Sequence, residues 1–126
     1  MVDRSIGPLP EYESPRKAID SAGFFSQPET IDGVVDRVVC ASERNDYGFT
    51  GVSFWIAKRG DVWFVGAWGG FIYRVPDRVL VETVAVDLLR THQGTPWDFA
   101  PELKLKYSLR SVPWSDFAPD GRAELP

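Results

Sequence analysis

The chain of 126 residues contains one cysteine and one histidine. A single cysteine excludes an intramolecular disulfide and agrees with a reducing compartment. Zinc sites use several Cys and His ligands, so Cys40 and His92 alone cannot form one. A catalytic pair would need both side chains in contact. Cys40 follows a valine-rich stripe typical of the core, and His92 suits the last turn of a helix, so neither is predicted to be catalytic.

Long hydrophobic runs are also lacking. The N-terminal residues contain no apolar run, so we expect no secretory signal, and no stretch is long enough to span a bilayer. A cytoplasmic protein without a membrane partner is therefore expected. The net charge of −4 is scattered, with no block of one sign. Nucleic acid is an unlikely general partner, because the long-range field has the wrong sign.

Cofactor and metal signatures are missing as well. The glycines of residues 66–70 lie between predicted strands, and no Lys-Ser or Lys-Thr pair follows them, so turn chemistry explains them better than a phosphate cradle. No loop has the carboxylate spacing of a calcium or magnesium site. We expect no cofactor and no metal, and we predict no catalytic residue.

Aromatic and β-branched residues are abundant between residues 52 and 75, in three glycine-punctuated runs. This composition is typical of strands and predicts a tightly connected antiparallel sheet. A hairpin loop at Arg59-Gly60 would place Ile56 opposite Trp63 and Lys58 opposite Asp61. Gly69-Gly70 would close the second hairpin.

Alternation along these strands predicts two unlike faces. One face is wholly apolar and should face the core: Trp55, Ala57, Val62, Phe64, Gly66, Trp68, Phe71, Tyr73 and Val75. The other is amphipathic: Phe54, Ile56, Lys58, Asp61, Trp63, Val65, Ile72 and Arg74.

Three segments have helical patterns. Ser14-Pro15 can begin a short helix that Gly23 ends. Valines at helical spacing predict a second helix over residues 28–42, followed by a loop over residues 43–50. An apolar stripe after Pro76-Asp77 predicts a third helix, ending near Gly94.

Strict alternation marks residues 103–110, where Leu and Tyr alternate with Lys, Ser and Arg. This pattern predicts an edge strand with lysines on its wet side. We divide the chain into an extended arm over residues 1–13, one domain over residues 14–112, and a tail over residues 113–126 whose aromatics dock on the domain.

The fold predicted is α+β, an antiparallel three- to four-stranded meander packed against two or three helices. If the last strand joins the edge beside the third run, basic and aromatic side chains could share a face and form a partner-binding surface. Six residues are candidates for it: Phe54, Trp63, Arg74, Lys104, Lys106 and Arg110. An ordinary soluble surface is the competing interpretation.

The leading hypothesis is a non-catalytic intracellular module that binds a protein partner or a second copy of itself, as an immunity, adaptor or regulatory subunit does. An acid/base hydrolase using Asp and Glu is the alternative. A sheet platform for single-stranded nucleic acid is the third hypothesis.

Overall fold

The computed structural model describes residues 9–31, 34–67, 71–91 and 101–117. Within these ranges the strands form one antiparallel sheet in which each pairs with its sequence neighbours. The α+β class and the antiparallel meander are confirmed, although the sheet has six strands rather than three or four. The elements in chain order are α1 (Leu9–Ser21), β1 (Phe25–Ile31), β2 (Val34–Asn45), β3 (Gly48–Arg59), β4 (Val62–Gly66), β5 (Ile72–Val75), α2 (Val81–Thr91), α3 (Pro101–Tyr107), β6 (Arg110–Ser111) and α4 (Trp114–Phe117).

The helix predicted over residues 28–42 is wrong. Those of its residues that the structure describes belong to β1 and β2, which pair with each other. Val38, Val39, Cys40 and Ala41 are all buried. A strand covered on both sides has a continuous apolar run instead of alternation, and paired valines in such a run mimic helical spacing.

The loop predicted over residues 43–50 is a tight hairpin instead. β2 continues to Asn45 and β3 begins at Gly48, so only Asp46 and Tyr47 connect them. The Asn45 side chain accepts a hydrogen bond of 2.8 Å from the Tyr47 amide, which is typical of a turn begun by asparagine.

The pairing register of β3 with β4 differs from the prediction by two residues. The loop is Gly60-Asp61 rather than Arg59-Gly60, and Ile56 lies opposite Val65 rather than Trp63. Gly60 has φ 62°, the conformation that a type II′ turn needs at its first central position. Because side chains alternate with a period of two, the shift leaves the faces unchanged. Trp55 and Phe64 share a face, as predicted.

The β4–β5 register differs by one residue, which does exchange the faces. Gly66 pairs with Ile72, and Phe64 pairs with Arg74. Ile72 and Arg74 therefore share a face with Trp55, whereas Tyr73 and Val75 move to the opposite face. The Gly69-Gly70 turn and Trp68 lie outside the described residues.

Two apolar clusters lie on the two sides of the sheet. The larger, on what we call the helix-packed face, joins strand residues such as Phe54, Ile56 and Val65 to Ile19 of α1 and Leu88 of α2. The smaller lies on what we call the Trp55 face. The prediction that the Trp55 face meets the main core is wrong, because α1 and α2 pack on the other side.

Four residues near the C-terminal end of the described chain cover part of the Trp55 face. Phe117 of α4 is fully buried, with its ring 5.0 Å from that of Trp55 and 5.6 Å from that of Phe64. The Arg59 guanidinium lies 4.2 Å from the Phe117 ring and donates a 3.0 Å hydrogen bond to the Phe117 carbonyl. These contacts attach α4 to β3 and β4.

The ends of α1 differ in how well they were predicted. Gly23, with φ 93°, ends the helix: the Phe24 amide bonds to the Ile19 carbonyl, and the Gly23 amide bonds to that of Asp20. This pattern is the Schellman motif expected of a C-terminal glycine. However, the helix begins at Leu9 rather than Ser14, so Pro15 lies inside it.

α2 has the apolar stripe that the sequence predicted. Val81, Val84, Ala85, Leu88 and Leu89 are its buried residues. The helix begins after a turn rather than directly at Pro76, because the Val79 amide bonds to the Pro76 carbonyl at 3.0 Å.

The edge strand predicted over residues 103–110 is wrong for most of its length. Residues 101–107 form α3, and only Arg110 and Ser111 join the sheet, beside β5. Leu103 is buried whereas Leu105 is 81% exposed, so the alternation does not separate a wet from a dry face. Pro101 suits the first turn of a helix, where its missing N–H leaves no bond unmade.

Candidate functional site

A cleft rich in positive charge lies at the β5–β6 end of the sheet. We call it the arginine cleft. It has a volume of about 400 Å³. The described residues that line it are Arg74, Pro76, Asp77, Arg78, Ser108 and Arg110.

Strand pairing places two of these arginines side by side. Arg74 of β5 lies directly opposite Arg110 of β6. Residues directly opposite in an antiparallel pair have Cβ atoms about 4.5–5.5 Å apart on the same face. Both side chains therefore leave the sheet on the Trp55 face, beside Phe64, which pairs with Arg74 from the other side.

A turn after β5 adds the third arginine. β5 ends where Pro76 follows Val75, and the hydrogen bond from the Val79 amide to the Pro76 carbonyl closes the turn. Asp77 and Arg78 are its two central residues and are both exposed. The turn thus brings Arg78 to the end of the strand that carries Arg74.

The end of α3 supplies the hydroxyl of the cleft. Ser108 has φ 56°, in the left-handed region, and the Leu109 amide bonds to the Lys104 carbonyl across it at 2.9 Å. This is again a Schellman motif, here with serine at the position that glycine usually takes. Because Leu109 is then buried, Arg110 begins β6 in a fixed register with β5.

The charges of the cleft are unbalanced. Among the described residues that line it, Asp77 alone carries a carboxylate against three guanidinium groups. The Asp77 carboxylate lies 3.6 Å from Arg74 Nη2 and is 79% exposed. The Arg74 Nε atom is buried and has no hydrogen-bond partner within the described part of the chain. A buried donor without a partner is rare in folded proteins and here lies next to an open cleft.

Of the six residues predicted to bind a partner, the structure brings Arg74 and Arg110 together. Lys104 and Lys106 lie on α3 and contact other groups. Lys104 Nζ donates to the Tyr73 hydroxyl at 3.2 Å, and Lys106 Nζ donates to the Asp87 carboxylate at 2.7 Å.

The two predicted aromatics lie away from the arginines. Phe54 is fully buried, and Trp63 is half-buried against the same cluster on the helix-packed face. Because Arg74 is on the opposite face, these rings do not flank it. A buried Phe54 ring has no open surface on which a nucleic acid base can stack.

Sequence reasoning missed Arg78, Asp77 and Ser108. Arg78 lies four residues after Arg74 and two after Pro76, which ends the strand. A turn at this proline, which would bring Arg78 close to the end of the strand, could have been predicted. Ser108 carried no usable signal, because left-handed C-terminal positions are predicted from glycine or asparagine.

A second cleft, of about 410 Å³, lies between α1, α2 and α3. Two of its charged side chains, Asp87 and Lys106, form an ion pair. Asp87 accepts hydrogen bonds from Lys106 at 2.7 Å and from the Tyr107 hydroxyl at 2.5 Å. The bonds from Lys106 and Tyr107 lower the pKa of the Asp87 carboxyl, and burial next to Asp87 raises the pKa of Tyr107. A general acid needs a raised carboxyl pKa, so Asp87 does not have the environment that role requires.

A third cleft, of about 310 Å³, lies on the Trp55 face of β1–β3 and includes Glu29, Val39 and Phe49. The neighbouring Arg37 pairs with Glu29 at 3.0 Å, and its guanidinium lies 5.5 Å from the centre of the Trp55 ring. The Glu29 carboxylate of this cleft is therefore paired within the protein.

Cys40 lies in the larger apolar cluster and is fully buried. Burial raises the pKa of its thiol, so the side chain stays protonated and unreactive at neutral pH. His92 lies outside the described residues. Within the described ranges, no three His, Cys, Asp or Glu residues are grouped to hold a metal ion, and no helix has the length and apolar character needed to cross a membrane.

Comparison with known proteins finds no family model that matches the chain and no similar curated protein or solved structure.

Proposed function

We propose that this protein is a non-catalytic intracellular module that binds another protein through its arginine cleft, as an immunity, adaptor or regulatory subunit does. The observation that carries the proposal is the pairing of Arg74 with Arg110 in a cleft that also holds Arg78. Its chain has a net charge of −4. Positive charge so concentrated in an acidic protein fits an acidic segment of a partner.

The chemistry of arginine supports such a partner. A guanidinium group offers five N–H donors in a planar fork and binds carboxylates and phosphates with two parallel hydrogen bonds. Arg74 is held by β5 and Arg110 by β6, so their backbones are already ordered before a ligand arrives. Little conformational entropy is then lost on binding, which favours affinity.

The single buried thiol of Cys40 is compatible with a reducing compartment, which supports a cytoplasmic location as part of the proposal. A second copy of this acidic chain is the alternative partner, since its carboxylates could enter the same cleft. Sedimentation of the purified protein distinguishes the two partners, because only self-association raises the mass without an added protein.

Affinity capture from a native lysate tests the proposal with three baits: the wild type, Arg74→Glu with Arg110→Glu, and Arg44→Glu with Arg90→Glu. The last pair is a matched control, because both arginines are exposed, lie outside the cleft and change the net charge equally. We expect wild type and control to capture the same stoichiometric protein and the cleft variant to lose it. Circular dichroism confirms that each bait is folded.

Two results would contradict the proposal. One is capture of the same partner by the cleft variant. The other is a monomeric wild type that captures no stoichiometric partner at low salt, where the attraction between exposed charges is strongest.

A further inference from the structure

We infer that the arginine cleft accepts a phosphomonoester carried by the partner, such as a phosphorylated serine, rather than a single carboxylate. The inference rests on the proposed function and specifies the chemical group that the cleft recognises. Its starting point is that two like charges lie directly opposite each other in the free protein. Like charges at such positions destabilise a sheet, and a bound anion with more than one negative charge removes the repulsion.

The charge of the cleft matches that of a phosphomonoester. Among the described lining residues, three guanidinium groups against the Asp77 carboxylate leave two positive charges uncompensated. A phosphomonoester carries a charge of about −1.5 to −2 at neutral pH, whereas a carboxylate carries −1. One phosphate group therefore neutralises the cleft, and a single Glu or Asp side chain leaves it positive.

The donors also suit a tetrahedral group. Arg74, Arg78 and Arg110 come from three different segments, β5, the turn and β6, and the Ser108 hydroxyl comes from a fourth. The Arg74 Nε–H has no partner among the described residues and, at 3.6 Å, Asp77 lies beyond ordinary hydrogen-bond distance from Nη2. Donors from several directions match three phosphate oxygens better than the two oxygens of a planar carboxylate.

A phosphorylated protein fits better than a nucleic acid. Nucleic acid binding needs positive charge along a track that follows successive phosphates. Here the basic cleft is local. Lys104 and Lys106, which could have extended it, are bonded to Tyr73 and Asp87. A single phosphate can enter the cleft while the acidic remainder of the chain repels a longer polyanion.

A titration of the full-length ¹⁵N-labelled protein tests the inference. The ligands are N-acetyl-O-phosphoserine amide and N-acetyl-glutamate amide at constant ionic strength, and the signal is the Arg74 Nε–H resonance. We expect phosphoserine to shift it saturably and to bind at least about tenfold more tightly than glutamate, the difference expected of one charge-assisted hydrogen bond. Binding should weaken below about pH 6, where the phosphate gains a proton.

Two variants test whether phosphoserine binding depends on the arginine cleft. Arg110→Ala should weaken phosphoserine binding about tenfold or more, since it removes one charged donor. Arg44→Ala, at the opposite end of the sheet, should leave binding unchanged. Equal weakening by both variants would show general attraction to positive charge and would overturn the inference.

Further outcomes separate this inference from the proposed function. If glutamate binds as tightly as phosphoserine, or if capture by the wild-type bait survives phosphatase treatment of the lysate, the phosphate inference fails while the protein-binding function stands. Tighter binding of a single-stranded oligonucleotide than of phosphoserine would also overturn it. Phosphoserine binding without any cleft-dependent capture would instead contradict the proposed function alone.

Discussion

The two faces of the sheet are covered in different ways. Among the described residues, a cluster of 17 buried residues on the helix-packed face joins the strands to α1, α2 and α3. On the Trp55 face the described cluster has six buried residues, and the four-residue α4 covers part of it. The first face has the structure of a closed core. The second carries the arginine cleft and the cleft over β1–β3.

The residues that contribute most to stability and the residues proposed to bind the partner therefore lie on opposite faces of one sheet. Most apolar burial, and hence most of the hydrophobic stabilisation, is on the helix-packed face. The Trp55 face instead carries the arginine cleft at its β6 edge. Substitutions on the first face should unfold the protein, and substitutions at that edge should change binding with little loss of stability.

The largest effect is expected for Leu88→Ala, because Leu88 is fully buried in the larger cluster. Its truncation should lower the free energy of unfolding by about 2–5 kcal/mol. Leu105→Ala is the matched control, since Leu105 is 81% exposed and its change should stay within about 0.5 kcal/mol. Denaturant titration measures both. Similar losses in the two variants would contradict the closed core.

Phe117→Ala should cost less than the roughly 3–5 kcal/mol typical of a phenylalanine in a closed core. α4 is short and can leave the Trp55 face by local unfolding, so the loss is limited to its docking energy. Labelling of the Cys40 thiol distinguishes local from global opening. Leu88→Ala should accelerate labelling, because Cys40 lies in the same cluster.

In Phe117→Ala the labelling rate of Cys40 should stay near that of the wild type. Acceleration comparable to that in Leu88→Ala would mean that the two faces unfold together and that α4 is part of the main core.

Gly66→Ala tests the packing of the Trp55 face more narrowly. A Cβ at residue 66 would lie 2.0 Å from the Trp55 ring, so the indole must move. Overpacking of this kind costs about 1–3 kcal/mol. Combining it with Trp55→Leu should recover part of that loss, because the double variant removes the ring that collides. If the stability losses of Gly66→Ala and Trp55→Leu simply add in the double variant, as measured by denaturant titration, the Trp55 ring does not cover Gly66 in solution.

The smallest loss is expected at Asp87, which ties α3 to α2. Hydrogen bonds from Lys106 and Tyr107 lower the pKa of Asp87 in the folded state. Its contribution is therefore present above the unfolded pKa and is lost as the pH falls through the lower folded value. The stability difference between wild type and Asp87→Asn should be largest near neutral pH and shrink below about pH 4. A difference independent of pH would contradict this assignment.

The helix-packed face was only partly predictable from the sequence. The stripe of α2 and the end of α1 at Gly23 followed from periodicity and from glycine at a helix end. β2 could not be predicted in this way. Val38 and Val39 are buried on opposite faces of the sheet, which removes the alternation that identifies a strand. The alternation in α3 was accidental, since Leu105 is exposed.

The arginine cleft was harder to predict, because its assembly depends on register. A one-residue difference in the β4–β5 pairing moved Arg74 to the face opposite Phe54 and Trp63. A last strand beside the third run was only a condition in the sequence-based hypothesis, and the observed pairing of β6 with β5 brings Arg110 to Arg74. The sequence spacing of Lys104 and Lys106 could not show that their ammonium groups would donate hydrogen bonds to Tyr73 and Asp87.

The most direct test of a binding face distinct from the stabilising face is Arg110→Glu, measured for stability and partner capture in the same preparation. The substitution places a carboxylate opposite Arg74 and replaces repulsion with attraction. We predict that the free energy of unfolding rises by about 0.2–1 kcal/mol while capture of the partner is lost. Lower stability, or a partner retained at wild-type level, would contradict the claim that this arginine pair serves binding at the expense of stability.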